Sequence, residues 1–268
     1  MNMIVVGEKI NATIPRVGDA IEKKDEGFLR DLALKQAAAG ASFIDVNVGT
    51  GKHPDQEVSN MAWLVELIQK HTDTPLCVDS AGPVVLEAGL KARDGRHSMV
   101  NSINATEESL NTVLPLVQEF RVPAIALAMD EKGIPMTVQG RMAACEKIIK
   151  RLDTLNIALE NVFFDPLVMP LSTDVSQGLV TLEALKELKA RYPSAKTILG
   201  LSNISFGLPR RSLINQGMLL MAMYLGLDAV IMNPLDSQLM ETILTGEVIT
   251  GKDRYCRRYV RASRKKLL

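Results

Sequence analysis

The feature that most constrains the fold is an alternation, repeated eight times, of a short apolar run and a longer amphipathic segment. The apolar runs begin near residues 3, 43, 75, 97, 123, 161, 196 and 228. Continuous runs of this kind are typical of parallel strands that are covered by helices. The segments between them space apolar residues as helices do. In FLRDLALKQAAAG, for example, Gly40 stands where a helix commonly ends.

Eight strand–helix units in 268 residues, with no Pro-, Gly- or Ser-rich linker between them, predict an α/β fold. We expect a single (β/α)8 TIM barrel that forms one domain over residues 1–268. The alternative is an open, doubly wound sheet with helices on both faces. The barrel is favoured because the units number eight and neither half of the chain looks separable.

The C-terminal stretch is basic from about residue 252. GKDRYCRRYVRASRKKLL holds eight Lys or Arg residues against one Asp. It is interpreted as a solvated helix or a frayed tail. The alternative is that its charge steers an acidic partner protein toward the barrel.

The charge balance and the apolar pattern exclude several classes of function. The formal net charge is zero, which argues against a protein that mainly grips nucleic acid or an anionic membrane. No apolar run approaches the ~20 residues that span a bilayer. The first residues, MNMIVVGEKI, lack a basic start and a cleavage site, and the three cysteines are far apart. We therefore expect a cytoplasmic protein with no membrane and no nucleic-acid partner.

Polar side chains stand at the end of every predicted strand. The residues are Glu8 and Asn11, Asp45 and Asn47, Asp79 and Ser80, Asn101 and Asn104, Asp130, Asp165, Ser202 and Asn203, and Asn233. In a barrel these ends converge on one mouth, where the chemistry of such folds takes place. Taken singly, an Asp or Asn at such a position is often only a turn-former or a helix N-cap.

Carboxylates accept hydrogen bonds, and amides both donate and accept them. A flat heterocycle with an amino group, ring N–H groups and a carbonyl, such as a pterin, matches that inventory. A phosphorylated sugar does not, because no glycine-rich phosphate loop follows strand seven or eight. No metal site is expected either: the only histidines are His53, His71 and His97, on predicted loop, helix-end or strand-start positions.

Six segments, VGEKIN, FIDVNVG, LCVDS, MVNSIN, FFDPLV and LGLSNISFGLPRR, occur in this order. Together they resemble the pterin-binding methyltransferases, which move a methyl group between tetrahydrofolate and a corrinoid protein. The resemblance covers residues 3 to about 260, and it is strongest to the stand-alone methyltetrahydrofolate:corrinoid protein methyltransferases of acetogenic and methyl-group-using anaerobes.

The resemblance implies roles for individual residues. It implies that Asp79, Asn101 and Asp165 bind the pterin ring, and that Asn203 contacts the nitrogen that carries or receives the methyl group. The expected catalytic residues are thus Asn203 and Asp165. The remaining candidates for the binding site are Gly200, Ser202, Arg211, Asp45, Glu8 and Asn11.

The physical chemistry of an amide agrees with the role implied for Asn203. A tertiary amine is a poor leaving group until it is protonated, and an amide that bonds the protonated nitrogen stabilises charge as it develops. The amide is not a base, so the proton must move through water or Asp165. Three residues after the amide, where some members of the family carry Gln, this chain has Phe206.

The resemblance further implies tetrahydrofolate or 5-methyltetrahydrofolate as substrate, a separate corrinoid protein that carries the cobalamin, and a homodimer. The apolar helix SLINQGMLLMAMYLG would form the dimer interface, unless it only packs on the barrel. Two other functions stay open: a dihydropteroate synthase-like enzyme and a non-catalytic folate-binding protein. The direction of transfer is not determined by the sequence.

Overall fold

A computed structural model describes residues 2–50 and 54–264 of the chain. Eight parallel strands close into a barrel in the order of the sequence, so that β1 pairs with both β2 and β8. The predicted TIM barrel is confirmed, and the open sheet is wrong. The strands are Ile4–Asn11 (β1), Phe43–Asn47 (β2), Leu76–Asp79 (β3), Ser98–Asn104 (β4), Ala124–Leu127 (β5), Val162–Asp165 (β6), Lys196–Gly200 (β7) and Ala229–Met232 (β8).

Helices follow the strands and cover the outside of the barrel. They are Pro15–Glu22 (α1), Glu26–Ala38 (α2), Pro54–Gln69 (α3), Pro83–Ala92 (α4), Glu107–Thr112 (α5), Leu114–Phe120 (α6), Val138–Thr154 (α7), Gln177–Arg191 (α8), Arg211–Tyr224 (α9), Ser237–Ile249 (α10) and Arg257–Arg264 (α11). Local signals fix several ends. Asp25 accepts a hydrogen bond from the Phe28 N–H at the start of α2, and Gly40 follows the end of that helix with a φ of 98°.

The interior of the barrel is filled by apolar side chains from neighbouring strands. This layer consists of Val6, Cys77, Met99, Ile125, Phe163, Ile198 and Ala229. Successive side chains on a strand point to opposite faces, so the residue two positions later also points inward, nearer the mouth. Cys77 is thus followed by Asp79, and Phe163 by Asp165. Because inward-facing positions recur every two residues along a strand, the side chains of Asp79 and Asp165 lie at the rim of the apolar core.

The basic C-terminal helix α11 lies at the opposite end of the barrel from the mouth. Glu247, at the end of α10, accepts a hydrogen bond of 2.8 Å from the Met3 N–H and forms an ion pair with Arg258. Lys252 donates to the Leu227 carbonyl, just before β8. Met3 and Leu227 both precede their strands. The described part of the basic stretch thus lies away from the mouth, which favours the solvated helix over the steering hypothesis. Residues 265–268 lie outside the described residues.

Helix α9 presents apolar side chains to solvent. Met218, Leu219 and Met223 are buried against the barrel, whereas Met221 and Tyr224 are exposed, Tyr224 to 80%. The helix thus carries apolar surface beyond what its packing on the barrel uses, as the sequence predicts. The homodimer itself stays a prediction. No helix in the described ranges is long and apolar enough to cross a bilayer.

Candidate active site

The carboxyl ends of β2, β3 and β4 carry a row of polar side chains in register. Asn47 pairs with Asp79, and Asp79 pairs with Asn101, across adjacent strands. Asn47 Nδ2 donates to Asp79 Oδ2 at 2.9 Å, and Asn101 Nδ2 donates to Asp45 Oδ1 at 3.3 Å. These bonds fix the orientation of both amides. The side-chain oxygen of Asn101 is left to meet a ligand.

The two carboxyl groups of this row differ in proton affinity. Asp45 is 3% exposed. Burial, together with the negative charge of Asp79, raises the pKa of Asp45 well above its usual range. Burial also raises the pKa of Asp79, and hydrogen bonds from Asn47 and Asp45 oppose that rise. The pKa of Asp45 is thus raised further than that of Asp79, so Asp79 is the member of the pair that ionises first.

Asp165 stands on the other side of the mouth, at the end of β6, and is 4% exposed. Its Oδ1 accepts a 2.7 Å hydrogen bond from the Leu167 N–H, and its Oδ2 accepts one of 3.3 Å from the Gly200 N–H. Burial raises the pKa of Asp165 to about 6, against the lowering effect of these two bonds and of the Arg141 charge. The group is thus mostly ionised at neutral pH.

Arg141 was missed by the sequence reasoning. It lies in the first turn of α7, is fully buried, and donates a 2.7 Å hydrogen bond to the Leu167 carbonyl. Leu167 has a φ of 67°, a left-handed conformation that costs a residue with a branched side chain about 1–3 kcal/mol. In the sequence, an Arg near the start of an amphipathic helix looks the same whether it is solvated or buried.

The strand that leads to Asn203 ends earlier than the sequence suggests. β7 stops at Gly200, and a 3-10 turn, Leu201–Asn203, carries the amide out of the strand. The side chain of Asn203 is exposed and forms no hydrogen bond with any part of the chain that the structure describes. A Cβ placed on Gly200 would lie 3.4 Å from Asn203 Nδ2 and 3.9 Å from Asp165 Oδ2. Because glycine has no Cβ, the space between the Asn203 amide and the Asp165 carboxylate stays open.

Arg211 holds the loop that follows β7. Its Nε donates to Ser205 Oγ at 3.0 Å, and its Nη2 donates to the Ser202 carbonyl at 2.6 Å. Ser202 Oγ in turn donates to Glu8 Oε1 at 2.6 Å. Burial raises the pKa of Glu8, which Ser202 and Arg211 counteract. The loop is thus fixed by Arg211 and Glu8, and not by the side chain of Asn203.

Four other strand-end residues form local turns. Asn11 Oδ1 accepts from the N–H and the hydroxyl of Thr13. The side chains of Asn104, Asp130 and Asn233 each accept a hydrogen bond from the backbone N–H two residues later. This is the turn-forming role that such residues often have. Asn11 is therefore engaged by its own turn, whereas Asp79 and Asn101 are not. Asp165 makes such a turn with the Leu167 N–H, but its second oxygen also bonds across to the Gly200 N–H.

A cavity of about 400 Å³ opens beside this row, between the loops that follow β3, β4 and β5. It is lined by Asn47, Asp79, Ser80, Ser102, Asn104, Leu127 and Met129, among others. The volume lies in the usual range for small-molecule sites. Mixed apolar and polar walls of this kind suit a flat polar heterocycle. Asn101, Asp165 and Asn203 are not among the lining residues, so the cavity covers only the β3–β5 side of the mouth.

Within the described residues, no group of three or more His, Cys, Asp or Glu side chains is arranged to hold a metal ion. His71 Nδ1 contacts the Leu67 carbonyl at 2.9 Å, on the same helix end. His97 directly precedes β4. His53 lies outside the described residues.

Comparison with known proteins identifies the family. Residues 7–233 match the family described as "Pterin binding enzyme". The chain is 36% identical to the methylcorrinoid:tetrahydrofolate methyltransferase of Eubacterium limosum, over 98% of this chain and 96% of that protein. It is also 30% identical to the methionine synthase of Mycobacterium tuberculosis (strain ATCC 25618 / H37Rv), over 87% of this chain but only 20% of that protein.

Solved structures share the fold. A dihydropteroate synthase from Xanthomonas albilineans superposes with a TM-score of 0.71 at 19% identity and covers 92% of this chain and 93% of that one. A likeness at this identity shows the barrel and not the reaction. The extent of the sequence matches decides the family. The chain belongs to the pterin-binding enzymes and, among them, to the methyltetrahydrofolate:corrinoid protein methyltransferases.

Proposed function

We propose that this enzyme transfers a methyl group between nitrogen 5 of tetrahydrofolate and the cobalt of a separate corrinoid protein. One observation carries the proposal: hydrogen-bonding groups for a pterin ring surround the mouth of the barrel, and the amide of Asn203 stands beside them without a partner in the described chain. A merely structural amide would be expected to bond to its own loop.

In this proposal the pterin ring lies between two anionic carboxylates. Asp79 and Asp165 accept hydrogen bonds from the amino group and the ring N–H groups, in a site that excludes much of the solvent. The side chain of Asn101 is oriented by Asp45, and its amide oxygen is a further acceptor. Since Asp79 and Asp165 already have partners on one side, their remaining lone pairs point in fixed directions.

Asn203 acts on the nitrogen that reacts. When folate is the methyl donor, the amide oxygen accepts a hydrogen bond from the protonated nitrogen and stabilises the charge that makes it a leaving group. When folate is the acceptor, the nitrogen lone pair attacks the methyl carbon, the cobalt–carbon electron pair stays on cobalt, and the nitrogen loses its proton. The ionised Asp165, near pKa 6, is suited to accept that proton through water, since the carboxylate itself is bonded to another edge of the ring.

The name of the Eubacterium limosum relative supports transfer from a methylcorrinoid to tetrahydrofolate. This chain matches nearly the whole of that relative, whereas it matches a fifth of the methionine synthase. We therefore propose that the corrinoid group is carried by another protein, as in one-carbon pathways that begin with O- or N-demethylation. That partner would dock over the mouth, where Asn203 and Phe206 are exposed.

Two alternatives share the barrel. A dihydropteroate synthase-like enzyme normally has a Lys near the seventh strand, where this chain has Asn203. A non-catalytic folate-binding protein needs no amide at the reacting nitrogen. The open position of Asn203 favours methyl transfer over both alternatives.

The test is formation of 5-methyltetrahydrofolate from tetrahydrofolate and a methylated corrinoid protein. We expect repeated turnovers that require the corrinoid protein, and a large loss of rate in Asn203→Ala. Tight folate binding without transfer from any methylated corrinoid protein would support the storage function. Condensation of a pterin pyrophosphate with 4-aminobenzoate would support the synthase.

A further inference from the structure

Arg141 is a buried cation whose hydrogen bonds all go to neutral groups. It is 0% exposed, on α7 behind the barrel wall. Its guanidinium donates to the carbonyls of Pro135 at 3.1 Å and Leu167 at 2.7 Å, to Thr181 Oγ1 at 2.9 Å and to Gln177 Oε1 at 2.8 Å. No carboxylate of a described residue forms an ion pair with it.

An unpaired charge inside a protein is costly, and it is seldom kept without a reason. Burial lowers the pKa of Arg141, and the negative charge of Asp165 acts in the opposite direction. The buried guanidinium therefore has a carboxylate as its electrostatic counterpart, although the two side chains are not hydrogen-bonded. A neutral residue with the same shape would hold the loops at a smaller desolvation cost.

One residue links the two groups through the backbone. The Leu167 carbonyl accepts from Arg141 and also from Thr181 Oγ1 at 2.8 Å, while the Leu167 N–H donates to Asp165 Oδ1. Both bonds depend on the left-handed conformation of Leu167. Fixing its carbonyl thus fixes the N–H that orients Asp165.

We propose that Arg141 is a positioning residue for Asp165: it holds the turn after β6 through the Leu167 carbonyl and supplies the positive charge that keeps Asp165 anionic. The inference rests on the proposed function, in which Asp165 binds the pterin as an anion. It adds that a residue outside the mouth sets the pH range in which the site accepts folate.

Few other groups near Asp165 affect its pKa through their charge. From α7, Cys145 also faces Asp165, but burial raises the pKa of its thiol to about 12, so it is neutral at working pH. From the turn after β6 and from β7, the groups that face Asp165 are the N–H groups of Leu167 and Gly200. Arg141 is the cation that lowers the pKa of Asp165.

The test measures the titration midpoint of Asp165 in folate-free protein, by carboxyl ¹³C NMR with Asp165→Asn used for assignment. We expect Arg141→Met to raise the midpoint by about one pH unit, because it removes a nearby opposite charge. Because folate binds the ionised form, its affinity should then fall only about twofold at pH 7 but about tenfold at about pH 5, and recover as the pH rises. Thr181→Val is the matched control. It removes a second hydrogen bond to the Leu167 carbonyl and one neutral acceptor of Arg141, but it leaves the charge in place and should leave the midpoint unchanged.

If Arg141→Met does not fold, Gln177→Glu provides the second variant. It places a carboxylate where the Gln177 amide oxygen now meets Arg141, although it loses the bond that Gln177 donates to Asp174. The new carboxylate would compensate the positive charge of Arg141, and this should also raise the titration midpoint of Asp165. A midpoint equal to that of the wild type in the variant that folds overturns the inference. A shifted midpoint with no change in folate affinity would support Arg141 as the positioning residue of Asp165. It would refute the pterin-binding role of Asp165, and with it the control of the pH range for folate.

Discussion

Asp165→Asn should change how the stability of the folate-free protein depends on pH. Burial raises the pKa of this carboxyl from its ordinary value of 3.8 to about 6. A difference of about two units corresponds to about 3 kcal/mol, since one unit is worth about 1.4 kcal/mol. The folded-state pKa is the higher one, so the folded protein binds the proton more tightly. Stability from this group is present below about pH 4 and is lost as the pH rises to about 6.

Because asparagine cannot ionise, the variant does not lose this stability as the pH rises. Asn offers one acceptor oxygen to the two N–H groups that Asp165 now bonds, which costs about 1–3 kcal/mol at every pH. We therefore expect the variant to be the less stable protein at about pH 4. It should gain about 3 kcal/mol on the wild type by pH 7.

Urea unfolding at several pH values measures this difference directly. The quantity to follow is the free energy of unfolding of the variant minus that of the wild type. We expect this difference to rise with pH between about 4 and 6 and to stay constant above. Such a rise would show that the buried Asp165 carboxylate ionises in the folded protein and that its ionisation lowers the stability. A difference that stays constant from pH 4 to 7 would refute the electrostatic reasoning for Asp165.

Two further predictions concern binding and assembly. We expect each of the variants Asp79→Asn and Asn101→Ala to weaken tetrahydrofolate binding by about tenfold to a hundredfold, because each loses one hydrogen bond of a charged or buried group. Calorimetric affinities within twofold of the wild type for both variants would contradict a pterin at the mouth. We expect a homodimer through the exposed face of α9, so Tyr224→Glu and Met221→Glu should shift light scattering from a dimer toward the 29.3 kDa monomer. A wild-type monomer at micromolar concentration would exclude that interface.

The fold was predictable because its signals are local and repeated. Eight apolar runs at the right spacing require a parallel sheet, and their number suggests closure. The site followed from the same periodicity: a polar residue two positions beyond an inward-facing apolar one, as Asp165 follows Phe163, must stand at the rim. The pattern of apolar and polar residues along the strands therefore suffices to locate the mouth.

The sequence could not separate ligand-facing residues from turn-formers. Asn11 and Asn203 are both amides at strand ends, yet one bonds to Thr13 and the other makes no bond within the described chain. The difference depends on where the backbone turns, which is set by contacts distant in sequence, such as those of Arg211. Arg141 was missed for the same reason, since its burial depends on α8 packing against α7.

Single-turnover kinetics of Asn203→Ala, paired with a direct measurement of folate affinity, test the central claim most directly. Because the side chain of Asn203 makes no hydrogen bond with the described chain, the variant should keep the thermal stability and the folate affinity of the wild type. Its methyl-transfer rate, at saturating folate and corrinoid protein, should fall on the order of a hundredfold. A variant that loses stability, affinity and rate in equal proportion would show that the amide supports its loop, and would contradict the account.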